Sequence, residues 1–407
     1  MPSHAIPLFL DCDPGIDDAI AIAYALCQSD VELVGIAASG GNVSTEQVVQ
    51  NTLGWLELAG RSDLPVYRGS DLPLAGQDPH VPEAPDGQSL VGVGELADHG
   101  GGAVSGAGGV EYAEVTHGDT GAGYAALPHP SFGVRDMSAA QAWVDAARAH
   151  PGELIGVVIG PSTNLALALE MEPDLPRLVK RLFVMGGAFN YRGNTHPTTE
   201  WNITYDPEAA ARVFASFGAA LAVGDALHAP VIGPLEATEM VEMTPERLSR
   251  ILSMTSEEAL ASASESRRRW AAVLHELGEA LRFYFEFHEQ DGHGYLAHTH
   301  DPYVMAAAIG WARAEAEREA RAGDAADVAA ESRGARETAT IPWAETAYAP
   351  VDVELTGTLT RGETVADWLG RWNRPANAEI VRRVDAAQFL DHLAETLMKG
   401  PDHEHTR

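Results

Sequence analysis

The chain has 407 residues, 45% of them hydrophobic and 21% charged, a composition able to bury a core in one large domain or two ordinary ones. Acidic residues outnumber basic ones 59 to 27, and the formal charge of −32 excludes nucleic acid as a partner and disfavours an anionic membrane surface. Cys12 and Cys27 are the only cysteines, too few to staple a chain this size, so free thiols and a cytoplasmic location are expected. The N-terminus, MPSHAIPLFLDCD, lacks the basic start of a signal peptide, and no apolar run reaches the ~18 residues of a membrane span.

In chain order, residues 6–10 form a short apolar run followed by Pro14-Gly15 and an apolar-rich stretch, 19–27. This pattern predicts strand, turn, helix. Residues 31–38, VELVGIAA, predict the second strand, and 45–59 have helical spacing. Residues 154–159 predict a buried strand, running into a helix capped by Ser162 or Thr163. Residues 182–185 predict a fourth strand, and 219–223 a fifth after a helix at 207–217. Residues 244–281 read as helical, and Asp301-Pro302 as the start of an apolar helix. Strands alternating with helices predict an α/β fold with an open, mostly parallel, Rossmann-like sheet flanked by helices. Two segments read as insertions: 72–109, rich in Gly, Pro and Asp, and 312–338, rich in Ala, Glu and Arg.

Each predicted strand ends in glycine and polar residues, and open parallel sheets bind ligands at their carboxyl edge. The first strand ends in the densest cluster: Asp11, Asp13, Asp17 and Asp18 fall within eight positions, with no lysine or arginine from residue 8 to 60. Adjacent carboxylates repel one another and protonate unless a cation sits among them. A hard divalent ion is the natural candidate. Helix capping accounts for one such aspartate and leaves three unexplained.

These stretches resemble the inosine-uridine preferring nucleoside hydrolases. DCDPGIDDA is similar to that family's DTDPGxDDA signature, with Cys12 in place of threonine. In the same order come SGGNVSTEQVVQNT, THGDTGAG, GPSTNLALAL, MGGAFNYRGNTHPTTEWNITYDPEAA, HDPYVMAAAI and VDVELTGTLTRGETVADW. The resemblance spans nearly the whole chain outside the two insertions and implies a single domain over residues 1–407 with the nucleoside hydrolase fold. It implies calcium-dependent hydrolysis of the N-glycosidic bond of a ribonucleoside, giving ribose and free base, and a homodimer or homotetramer. Asp13, Asp18 and Asp301, with the backbone carbonyl of Ile159, would hold Ca2+. Asp13 would also be the general base. Asp17, Asn42, Asn194, Glu200 and Asn202 would bind ribose, with Met185 against the sugar and Asp301 beside it. His300, with His117, would address the leaving base.

Such a division suits the chemistry. The transition state of glycosidic cleavage is oxocarbenium-like, and an acidic pocket favours a cationic sugar. Two other readings compete. A strand ending in Asp-x-Asp also resembles the haloacid-dehalogenase-like phosphatases, with Asp11 as nucleophile, but Lys180 and Lys399 are the only lysines and the late acidic pair is missing. A non-catalytic nucleoside- or ribose-binding protein would keep the pocket and lose Asp13 or a metal ligand. Asn164 and Asp206 read as helix-terminus residues; His196, His288, His293, His298 and Asp225 read as bystanders. VGDALH, around Asp225, departs from the family's Gly-Leu-Asp-Val-Thr.

Overall fold

The computed structural model describes residues 5–77, 104–105, 111–325 and 338–401. An eight-stranded sheet comprises β1 Ile6–Cys12, β2 Val31–Ala38, β3 Val66–Arg68, β4 Leu154–Val158, β5 Val179–Met185, β6 Val231–Gly233, β7 Ala344–Ala349 and β8 Ala378–Val384. Its spatial order is β7-β8-β6-β5-β4-β1-β2-β3. Neighbours are parallel throughout, except for antiparallel β7 and β8.

The helices that matter here are α1 Ile16–Leu26, α2 Thr45–Ala59, α3 Ala139–Ala149, α4 Thr163–Met171, α5 Trp201–Tyr205, α6 Pro207–Val223, α7 Leu235–Thr238, α8 Glu265–Gln290, α9 Asp301–Ala325 and α10 Ala386–Lys399. They cover both faces of the sheet. The strand period of two decides which core each β1 residue joins. Leu8 and Leu10 pack with α1, α8, α9 and α10; Phe9 turns to the other face, with α3, α4 and α6. There its ring lies 4.4 Å from that of Trp143. Each such side chain contributes roughly 1.5–3 kcal/mol on burial. The result is the open, mostly parallel α/β sheet that the alternation predicts.

β1 lies between β2 and β4, so the chain leaves it toward opposite sides of the sheet. That makes the β1–β4 junction a topological switch point, where a crevice opens at the carboxyl edge. Asp13 and Ile159 stand just beyond these two strand ends.

Several sequence expectations need correction. Residues 219–223 are not a strand: α6 runs to Val223 and stops at left-handed Gly224. The run AALAV is alanine-rich and continues a good helix. The strand is Val231–Gly233, and Pro234 alone separates it from α7. Asp225 therefore follows a helix end, not a strand end. Residues 244–281 are not one helix: Pro245–Leu252 ends before short turns, and α8 restarts at the Ser264 cap. Residues 312–325 continue α9, where 316, 317 and 319–321 are exposed and Glu315 is fully buried. Within 72–109, Leu74–Gln77 is a helical turn and Val104–Ser105 pairs with Glu111–Tyr112; residues 78–103 lie outside the described residues, as do 326–337 of the second expected insertion.

Candidate active site

The four clustered aspartates separate into two groups. Asp11 faces the Phe9 side of the sheet. Its Oδ1 accepts from Ser39 at 2.5 Å and Asn164 at 3.0 Å, and its Oδ2 accepts from Trp143 Nε1 at 2.8 Å. Burial pushes its carboxyl up to about 6 against the pull of these three donors. Asp11 is thus a structural hub, and a nucleophile's freedom is denied to it. Asn164 is the helix-start residue expected, and Asp206 caps α6 through Ala209 N–H at 3.0 Å.

Asp13, Asp17, Asp18 and Asp301 line up beneath the crevice. Ligand oxygens of Asp17, Asp18 and Asp301 all lie within 4.8 Å of one another, and all three residues are buried. Asp301 comes from the start of α9, which packs on α1. Asp18 caps its own helix start, accepting from Gly15 N–H at 3.0 Å and Asp13 N–H at 3.1 Å. Asp17 accepts from the backbone N–H of His300 at 3.1 Å. Asp13 lies outside that three-residue group. Its Oδ2 accepts from Asn42 N–H at 2.8 Å, whereas its Oδ1 is buried without a hydrogen-bond partner. A Cβ at Gly41 would sit 2.1 Å from Asp13 Oδ2, and one at Gly160 2.6 Å from Oδ1, so glycine alone lets the backbone close this tightly around the carboxyl.

Burial first, then mutual repulsion, raises the pKa of Asp13, Asp17 and Asp301; burial does the same for Asp18. No lysine or arginine offsets any of the four among the described residues. A buried anionic group with an orphaned oxygen is the donor set of a hard cation, and it could hold a metal ion.

Above this floor opens a cavity of about 230 Å³. Ile159, Met185, Asn42, Asn194, Glu200 and Asn202 reach it, as expected from the sequence. Asn202 Nδ2 donates to the carbonyls of Ile159 at 3.0 Å and Met185 at 3.2 Å, which fixes its amide orientation. Glu200 caps α5, accepting from Asn202, Ile203 and Gly187 N–H groups at 2.9, 3.1 and 3.0 Å; burial lifts its pKa to about 7. Asn194 Oδ1 accepts from Trp201 N–H at 3.0 Å, which braces the loop before α5.

His117 and His300 both line the cavity. His117 Nδ1 accepts from Ile16 N–H at 3.1 Å, so its Nε2 carries the hydrogen. Burial depresses its pKa to about 3. His300 Nδ1 lies 2.8 Å from the Thr238 hydroxyl, which lies 3.2 Å from the Pro234 carbonyl. Burial pushes His300 well below the usual imidazole range.

His288, His293 and His298, read as bystanders, also reach the cavity wall. Two local signals were available for this: His288 follows Tyr284 by one helical turn, and His298 and His300 stand two apart, the spacing that shares a face in extended chain. The Gly-Leu-Asp-Val-Thr pattern expected around Asp225 does not reveal Thr238, because in Gly233–Thr238 a proline separates the glycine from Leu-Glu-Ala-Thr. His196 is not among the lining residues.

The inosine-uridine preferring nucleoside hydrolase family matches residues 8–391. The pyrimidine-specific ribonucleoside hydrolase RihA of Citrobacter koseri is 30% identical over 395 residues, 97% of this chain and 98% of that protein. RihA of Salmonella arizonae is 29% identical over 394 residues, with the same coverage of 97% and 98%. The structure of a purine-preferring ribonucleoside hydrolase from Gardnerella vaginalis superposes with a TM-score of 0.70 at 23% identity, covering 97% of this chain and 98% of that one. A plant nucleoside hydrolase, PpNRh1, gives 0.69 at 25% identity, covering 96% and 98%.

Fold, site and relatives together define a ribonucleoside hydrolase, an enzyme that splits the N-glycosidic bond with water. The chain belongs to the inosine-uridine preferring nucleoside hydrolase family. Among the described residues, no helix is long and apolar enough to cross a membrane.

Proposed function

We propose that this enzyme hydrolyses pyrimidine ribonucleosides, releasing ribose and free base, with calcium as its metal. The observation that carries the metal reading is the orphaned Oδ1 of Asp13 beside the buried Asp17, Asp18 and Asp301 group. Asp13, Asp18 and Asp301, with the carbonyl of Ile159, would hold the ion. An oxygen-only donor set with a backbone carbonyl suits calcium's loose coordination better than magnesium's strict octahedron. Bound there, calcium supplies positive charge that makes water a better nucleophile at neutral pH.

The chain's own residues do the rest. Asp13 takes the proton of the attacking water as general base. Asp17, Asn42, Asn194, Glu200 and Asn202 bind the ribose hydroxyls, with Met185 against the sugar and Asp301 at its edge. Asn202, its Nδ2 spent on two carbonyls, offers Oδ1 to a hydroxyl. His300 faces the leaving base. Because the Thr238 hydroxyl donates its one hydrogen to the Pro234 carbonyl, His300 Nδ1 donates to Thr238 Oγ1 and its Nε2 faces the base without a hydrogen until the ring is protonated, whereas His117 Nε2 already carries one.

Pyrimidine preference rests on the relatives at 29–30% identity over nearly the whole chain, which are named pyrimidine-specific. The products fit a salvage role in the cytoplasm. Assembly as a homodimer or homotetramer completes the reading and is checked by light scattering. The deciding experiment is ribose release from uridine, cytidine, inosine, adenosine and guanosine, before and after exhaustive chelation. No turnover of any of the five in calcium overturns the proposal. Full turnover in metal-free protein overturns the metal.

A further inference from the structure

Arg192 is the one lysine or arginine among the described residues that line the cavity. It sits on the loop between β5 and α5, close to half exposed at 46%. Its Nη2 donates to Glu239 Oε2 at 2.8 Å and its Nη1 to the Gly193 carbonyl at 3.2 Å. A guanidinium has five N–H donors, so three remain for a ligand. The Tyr191 hydroxyl donates to the same Glu239 Oε2 at 2.9 Å. Both bonds fall on Oε2, which leaves Oε1 of this largely buried carboxylate to accept from a ligand.

Position supports a role at the base rather than the sugar. Glu239 directly follows Thr238, whose hydroxyl touches His300. Among the ribose-binding candidates, Asn202 instead bonds the carbonyls of Ile159 and Met185, at the ends of β4 and β5.

Resting on the ribonucleoside reading above, we propose that Arg192 and Glu239 form a donor–acceptor pair that selects bases with an N–H beside a carbonyl. Uracil presents N3–H and O4 on one edge, and hypoxanthine presents N1–H and O6. Glu239 accepts from the N–H while Arg192 donates to the oxygen. Cytosine and adenine carry the reverse pattern, a bare ring nitrogen beside an amino group. Against this pair they would set acceptor against acceptor and donor against donor, leaving the largely buried Glu239 Oε1 unpaired. The pair is therefore specificity-determining, and it favours uridine over cytidine and inosine over adenosine.

The test measures kcat/KM on uridine and cytidine for wild type, Arg192→Met, Arg192→Lys and Glu239→Gln. A hydrogen bond to a charged group supports about a 10- to 100-fold loss on uridine for Arg192→Met and Glu239→Gln, with cytidine changed only a few-fold. Arg192→Lys, which keeps the charge but loses the planar fork, should fall between. The uridine-to-cytidine ratio cancels any difference in folded fraction, because both substrates meet the same enzyme. A wild type that prefers cytidine, or a ratio unmoved in Arg192→Met and Glu239→Gln, overturns the inference and leaves nucleoside hydrolysis intact. A wild type inactive on every ribonucleoside overturns the parent reading and this one with it.

Discussion

The backbone N–H of Ile16 donates to Nδ1 of His117 at 3.1 Å, joining residues 101 positions apart. A backbone amide can only donate, so this bond fixes the ring as the Nε2–H tautomer and ties the His117 loop to the start of α1.

His117 should therefore stay neutral well below the usual imidazole pKa. Burial depresses it to about 3, whereas the unfolded side chain titrates near 6.5. A depressed folded value means the unfolded state binds more protons between these limits. The histidine's contribution to stability is full above about 6.5 and is lost as pH falls toward 3. Nitrogen-15 spectra should show one tautomer, unprotonated from pH 8 to pH 5. A midpoint near 6.5 for this ring would refute the assignment.

Asp11 and Asp13, two residues apart, should fail in different ways. Asp11→Ala strands three buried donors, at about 1–3 kcal/mol each, so its melting temperature should drop sharply. Asp13→Asn removes a repelling charge from a metal-free site, so metal-free melting should hold or rise. Its kcat should fall by at least the roughly 10²–10⁴-fold typical of a general base. Asp13→Asn with kcat within a few-fold of wild type would end that role.

The sequence could place the floor of the site because most of it is local. Asp13, Asp17 and Asp18 belong to one strand–turn–helix with no compensating cation, and Asp301 carries its own Asp-Pro helix start. The separate fate of Asp11 was open to a period-two reading, since it shares its face of β1 with Phe9. The histidine wall was less legible. His288, His293 and His298 come from the end of α8 and the chain after it, and packing of α8 against α1 and α2 brings them in. The fifth strand was misplaced because helix and strand both accept a short alanine-valine run, and the Gly224 cap was read as a strand end.

Calcium binding should grow stronger as pH rises. In metal-free protein, burial and repulsion push Asp17 up to about 7, and burial pushes Asp18 up to about 6, against about 4 when unfolded. A raised folded pKa gives stability that is full below about 4 and lost as pH climbs through 6 to 7. The buried histidines act in the opposite sense, but only below about 6.5. Calcium must displace the proton of its ligand Asp18 and, by its charge, favours loss of the proton on neighbouring Asp17, so the melting-temperature shift it causes should be larger at pH 8 than at pH 6. An equal shift at both values would mean the carboxyls are already ionised without metal.

Sugar recognition should depend on the hydroxyls. Asp17, Asn42 and Asn202 are buried polar groups around a small cavity, and a deoxy sugar would leave some of them unpaired. Sites of this kind reject the analogue by as much as ~10⁴–10⁵-fold. We expect 2′-deoxyuridine to be a very poor substrate beside uridine. Comparable kcat/KM values would remove these residues from ribose binding.

His300 is best tested with two leaving groups. A nucleobase departs poorly as an anion and needs a hydrogen-bond donor; p-nitrophenoxide departs well alone. His300→Ala should lower kcat by about 10²-fold on uridine if the ring serves the base. On p-nitrophenyl riboside it should stay close to wild type, because Asp13 and the ribose contacts are unchanged. His300 also adjoins Asp301, and its backbone N–H holds Asp17. That bond survives in the alanine variant, so a loss confined to uridine reports on the ring alone. Equal losses on both substrates would instead show that the ring braces the acidic floor. Unchanged rates on both would pass the role to His117, whose Nε2–H enters the same cavity, and His117→Ala on the same two substrates would then show the split.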